Sequence, residues 1–250
     1  MTNRRRGWSS QLVGGLVLGM AVIAAQPAAA QSTIFNIPTT DTLSAKKGYF
    51  EFDYLAQLPA PDAGQFQIFA PRLVVGLTPQ LEAGVNVAVA HYGDDGGNFT
   101  LYQPNFKYKF YANDDTGVAA SAGVIGYFAD NDGDNFGQIY GVVSKKITDG
   151  PRFTFGAYGA VSCDACDGGA NKGGVILGYE QPITGTVSFV ADFLSGKNFW
   201  GYLTPGISVV LPRSGLLNIG YAIGYNELTG DGDPDYRNNA LFVYYGITFP

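Results

Sequence analysis

The sequence predicts a closed antiparallel β-barrel that crosses a lipid bilayer on about twelve strands, within a range of roughly ten to fourteen. Three observations predict it. The 250 residues hold 35 Gly, 16 Tyr and 17 Phe but only 14% charged residues, where a soluble chain carries about a quarter. After Lys47 the chain divides into runs of about ten residues, the length a tilted strand needs to cross a bilayer. Several runs alternate apolar and polar residues with period two, so one face meets lipid and the other a lumen.

The elements follow in order. Arg4, Arg5 and Arg6 precede an apolar stretch from Leu12 to Ala25, and then Ala28 and Ala30 place small residues in an A-x-A pattern. This is the layout of a signal peptide, residues 1–30, cleaved after Ala30. The apolar core is too short to span comfortably as an anchor. Residues 31–47 are expected as a periplasmic N-terminal segment, and residues 48–250 as the transmembrane barrel. Loss of the three arginines takes the formal charge from -6 to about -9, and an acidic chain is repelled by nucleic acid.

Twelve strands can be read: Gly48–Gln57, Gln65–Leu77, Leu81–His91, Phe99–Tyr111, Gly117–Ala129, Asn135–Ile147, Pro151–Val161, Lys172–Glu180, Thr186–Leu194, Phe199–Leu211, Leu216–Asn226 and Asn239–Phe249. Leu241, Val243, Tyr245, Ile247 and Phe249 share one face of the last. Phe106, Tyr108 and Phe110 oppose Asn105, Lys107 and Lys109 in the fourth. The second loses its phase near Ala70–Pro71, which predicts a bulge. Short turns alternate with longer loops, and an even strand number leaves both chain ends on the side of the short turns. A flat sheet of this size would expose edges, which closure removes. A secreted β-sandwich also has short alternating strands, but the low charge, strand count and even spacing favour the barrel.

With the signal peptide, the alternating segments, the aromatic-rich strands and the near-terminal Phe249, the chain resembles the Gram-negative outer-membrane β-barrel superfamily, porins included. It ends Thr248-Phe249-Pro250, with the aromatic residue second from last rather than terminal. The resemblance implies a location in the cell outer membrane, outer-membrane lipids and the assembly machinery as partners, and passive transport of small solutes.

Period two points Glu51, Asp53, Arg72, Glu82, Lys107, Lys109, Arg152, Glu180 and Asp192 into the lumen. They either pair across strands and fill it, or line a pore with a transverse field. Opposite them Ser121, Gly123, Gly156, Gly174, Gly178, Gly206, Gly220 and Gly224 leave space, which suggests a narrow aqueous path. Acidic loops carry Asp130, Asp132, Asp134, Asp231, Asp233 and Asp235. These either attract cations to the mouth or are ordinary solvated turns. Both runs begin like calcium loops, but the twelfth positions are Gly141 and Phe242 rather than Glu. Cys163 and Cys166 fit a small structural disulfide in an oxidising compartment.

No cofactor, no metal site and no catalytic residue is expected. His91, the only histidine, sits at a strand end with outward parity, the basis of an alternative reading as a lipid-modifying hydrolase. No Ser on its strand and no evident carboxylate orients it. A second alternative is an envelope scaffold or adhesin acting through its loops. Trp200 and the strand-end aromatics read as interfacial girdles.

Overall fold

The computed structural model describes residues 32–57, 66–92, 97–130, 135–163, 171–226 and 239–250. The proposed signal peptide and the loop residues Asp132, Asp134, Asp231, Asp233, Asp235 and Cys166 lie outside the described residues.

Among the described residues, twelve strands close a barrel. They are β3 (Gly48–Ala56), β4 (Phe66–Gly76), β5 (Leu81–Tyr92), β6 (Asn98–Asn113), β7 (Val118–Ala129), β8 (Phe136–Lys146), β9 (Arg152–Val161), β10 (Gly173–Pro182), β11 (Val187–Leu194), β12 (Tyr202–Leu211), β13 (Gly215–Gly224) and β14 (Ala240–Phe249). Each pairs antiparallel with its sequence neighbours. The barrel closes where β14 meets β3, from Leu241 opposite Ala56 to Phe249 opposite Gly48. The predicted strands therefore all exist, with boundaries moved by a few residues. Two further short strands, β1 (Thr33–Ile34) and β2 (Ile37–Pro38), form a separate hairpin.

The barrel is apolar outside. Phe110 and Phe155 on its outer face are 58% and 63% exposed, while Glu82 and Lys107 inside are 1% and 3% exposed. In water that arrangement would leave a large apolar belt uncovered; in lipid the belt is the solvated surface, and closure satisfies every strand edge. The sequence alternation is thus the imprint of two solvents, one on each side of a single sheet. At the end that carries both chain ends of the barrel, the connections are short. Lys46, Asp149, Arg213 and Ser214 there take positive φ, the backbone that tight reversals require. This is the turn end; the opposite end is the loop end.

Two expectations are corrected. The bulge does not lie at Ala70–Pro71, where β3 and β4 pair without a register shift. The phase looked lost because Phe66, Ile68 and Ala70 are apolar yet face the lumen. The register shift lies instead in β6, between Lys109 and Tyr111. The second correction concerns the N-terminal segment. Residues 32–43 of the segment expected as periplasmic fold into the barrel lumen. Ile34 and Ile37 are wholly buried against Tyr140, Val142, Ile176, Val190 and Tyr244. A segment with this many apolar residues is better covered by barrel walls than left in water.

Candidate functional site

All nine predicted lumen residues lie inside the barrel, and most of their charge is consumed in pairs. Arg72 bridges Glu51 at 3.3 Å and Lys107 bridges Glu82 at 3.0 Å, each across adjacent strands. Arg152 bridges Glu180 and also Asp41 of the N-terminal segment. Asp53 sits beside these pairs, half-buried, and Lys109 faces Asp41 closely enough to favour its charged form. Asp192 is on the far wall. Pairing rather than a free transverse field is what the geometry shows, because unpaired charge in a narrow lumen would lose most of its hydration.

The inserted segment uses those charges as anchors. The Lys107 ammonium donates to the Ser32 hydroxyl at 2.8 Å and to its carbonyl at 2.9 Å. The Ser32 hydroxyl donates to Glu82, whose other oxygen accepts the Leu43 N–H at 2.7 Å. On the opposite wall the Asn36 N–H donates to Asp192 at 2.6 Å and its amide to the Thr204 hydroxyl at 2.9 Å. Thr40 bonds Ser144, and Asp41 bonds Arg152. The segment therefore spans the lumen from β5 and β6 to β11 and β12 and returns past β8 and β9. Burial alone would raise the Asp41 carboxyl, but the charge and hydrogen bond of Arg152, with the Lys107 and Lys109 charges, together outweigh it and hold the group below the usual carboxylate range.

The small-residue wall is the socket for this segment, not the wall of an open path. A methyl group on Gly178 would strike Ile37, and one on Gly206 or Gly220 would strike the Phe35 ring. Phe35 stacks obliquely on Phe242 at 5.4 Å and edge-on to Tyr244 at 5.8 Å. Ser121 donates to the Thr39 carbonyl, while Gly123 makes room for Tyr140.

Above the segment, toward the loop end, the described residues leave the lumen open. A chamber of about 660 Å³ has Ser32, Thr33, Phe35, Asn36 and Pro38 in its lining. Its upper walls are mostly apolar, with Phe66, Ile68, Ala88 and Ala90 on one side and Ile125, Tyr127, Phe136 and Trp200 on the other, and Gln138 set among the latter. Trp200 is not a girdle residue. It packs on Phe199, Phe136, Tyr127 and Tyr158 with ring centroids 4.1 to 5.9 Å away. The reason is Asn198, which is buried in the chain between β11 and β12. Its amide donates to the Tyr158 hydroxyl and the Asn171 carbonyl, and its side-chain oxygen accepts the Trp200 backbone N–H, fixing the backbone that carries the tryptophan into the lumen.

The remaining candidates are peripheral. Asp130 caps the β6–β7 rim by accepting the Thr100 N–H at 2.9 Å, and that contact holds its carboxyl below the usual range. His91 points outward, exposed, and its ring bonds Asn98 on the neighbouring strand. Cys163 is disulfide-bonded. The residues that sequence reading missed are the inserted ones, Ser32, Asn36 and Asp41, and the chamber aromatics. An excess of inward glycines facing a charged wall was the available signal that something must fill the space.

No family model matches the sequence, and no curated protein matches it. Among solved structures the chain is similar to an outer membrane channel from Pseudomonas putida F1, with a TM-score of 0.54 and 11% identity over 84% of this chain and 98% of that one. A porin variant from Rh. blastica matches at a TM-score of 0.33 and 9% identity, over 81% of this chain and 99% of that one. At 11% identity the first likeness is one of architecture, and the chain shares the closed antiparallel barrel fold of that channel.

Proposed function

We propose that the protein is an outer-membrane channel for passive passage of small solutes, exported with a cleaved signal peptide and working without cofactor or catalytic residue. The observation that carries this reading is the chamber that the described residues leave inside a closed barrel. A scaffold has no use for a cavity of about 660 Å³ that opens between barrel walls, since filling it would add stability. The loop end faces outside the cell on this reading, the short turns face the periplasm, and the acidic loops favour cations at the mouth. Residues 32–43 form the constriction. They are held by hydrogen bonds and ion pairs, so a path past them opens by side-chain and segment movement rather than by covalent change.

Planar-bilayer conductance of the chain, refolded in KCl at two salt levels, tests the reading. Small discrete steps are expected, with a cation preference that weakens at high salt. A correctly folded barrel that stays silent both intact and without residues 32–43 would overturn it and leave the envelope scaffold, which the filled turn-end half of the lumen favours.

A further inference from the structure

Resting on the channel reading, we propose that the loop-end chamber is a binding site for small uncharged aromatic molecules carrying one hydrogen-bonding group, phenols being the simplest. Its size falls within the roughly 300–1,000 Å³ of small-molecule pockets. One wall is an aromatic array: Tyr127 and Phe136 stack at 4.4 Å, and Trp200 meets both edge-on at 5.9 and 5.8 Å. Further rings join such an array in the same offset or edge-on geometries.

The base supplies the polar contact. Asn86 and Gln103 are directly opposite on β5 and β6, and both line the chamber. The Asn86 side-chain oxygen has Asn105 near it at 3.5 Å. The Gln103 amide is half-buried and has no side-chain partner among the described residues. A neutral amide both donates and accepts, so it suits a hydroxyl or carbonyl.

Charge excludes ions. Arg72 and Lys107, the cations nearest the base, are engaged by Glu51 and Glu82. An anion meets no free cation there, and an ion entering the largely apolar upper half loses hydration without a counter-charge. The class that fits has a ring for the walls, one polar group for Gln103 and no net charge.

The sequence holds two tryptophans, so in a Trp8→Phe chain Trp200 alone reports on the chamber. The folded barrel is titrated with 4-iodophenol, iodobenzene and 4-iodobenzoate, at about pH 6 where the phenol is neutral and the benzoate charged. Saturable quenching of Trp200 is expected, tighter for the phenol than for the benzoate. Gln103→Leu weakens the phenol about fivefold to tenfold and leaves iodobenzene unchanged, and Gln103→Met, closer in shape, carries the same expectation. Phe136→Ala weakens both. Quenching that rises without saturation, benzoate binding as tightly as the phenol, or a Gln103 change that lowers both neutral ligands alike overturns the proposal. Vesicle uptake of 4-iodophenol separates this site from the channel reading. Saturable binding without uptake sinks the channel and keeps the site; uptake without saturable binding does the reverse.

Discussion

Toward the loop end, the inward faces of β4, β5, β7 and β8 carry Phe66, Ile68, Ala88, Ala90, Tyr127 and Phe136 around empty space. Toward the turn end the same strands carry Arg72, Glu82, Ser121 and Ser144, all buried, around an inserted segment. The contrast teaches how one sheet builds two environments. Apolar side chains lining a void need no partner, so that half stays open. Buried polar side chains without partners cost about 1–3 kcal/mol each, so the other half is closed by a segment that supplies Ser32, Asn36, Thr40 and Asp41 as partners. The chamber and the constriction are then one design, since the floor of the first is the top of the second.

Removing the segment breaks the comparison most severely. Deletion of residues 32–43 is expected to raise single-channel conductance several-fold, because about twelve strands enclose a lumen wider than the side chains alone can fill. Conductance unchanged by the deletion would show that the constriction lies elsewhere. The deletion also leaves Glu82, Lys107 and Asp192 without Ser32, Leu43 and Asn36, so a lower urea midpoint for the barrel is expected in the same protein.

Breaking a single anchor comes next. Glu82 holds Lys107, Ser32 and the Leu43 N–H together. Glu82→Leu leaves a buried ammonium without its counter-charge, and loss of one partner of such a pair costs about 3–5 kcal/mol. Equilibrium unfolding in urea should show a loss of that order, with the segment opened to protease. The double variant Glu82→Leu/Lys107→Leu should recover most of it, because the stranded charge is gone. No recovery would mean that the carboxylate acts mainly through the segment. A smaller effect is expected at the socket. Gly220→Val pushes first on the Phe35 ring. Overpacking of this kind costs about 1–3 kcal/mol, read as a fall in urea midpoint that vanishes when the partner change Phe35→Ala is added.

The barrel was legible because its cause is local. Alternation at Leu81–Val89 or Asn105–Phe110 follows from the solvents on either side of one strand, and each strand declares it separately. The lumen residues were legible for the same reason, since parity alone aims Glu51 or Asp192 inward. Their pairing was not, because it depends on register: Arg72 meets Glu51 only because β3 and β4 pair without a shift. The inserted segment was illegible for a further reason. Thr33 to Thr40 has the composition of any short strand pair, and its hydrogen-bond partners in the barrel wall lie 39 to 168 residues away in sequence. Trp200 was misread because aromatics near strand ends suit a lipid interface equally well, and its inward turn depends on Asn198 and on rings brought to it from other strands.

The mildest expected effect is a pH response of the constriction. Asp41 lies outside the spanning strands, and Arg152 holds its carboxyl below the usual range. A carboxyl depressed in the folded state contributes stability that is present above its unfolded value, about 3.9, and is lost as pH falls through the folded value. The Asp41–Arg152 contact should therefore persist from neutral pH down to about pH 4 and fail below it. Conductance noise or protease access at the segment should rise only in that lower window. Asp41→Asn should show the loosened behaviour already at neutral pH, with no further change on acidification. A response centred well above the carboxylate range would assign the opening to another group. Because Asp41 is only 30% exposed at its side chain and Arg152 keeps Glu180 when Asp41 is protonated, the barrel itself should stay folded throughout. The turn-end half would then loosen while the loop-end chamber keeps its shape.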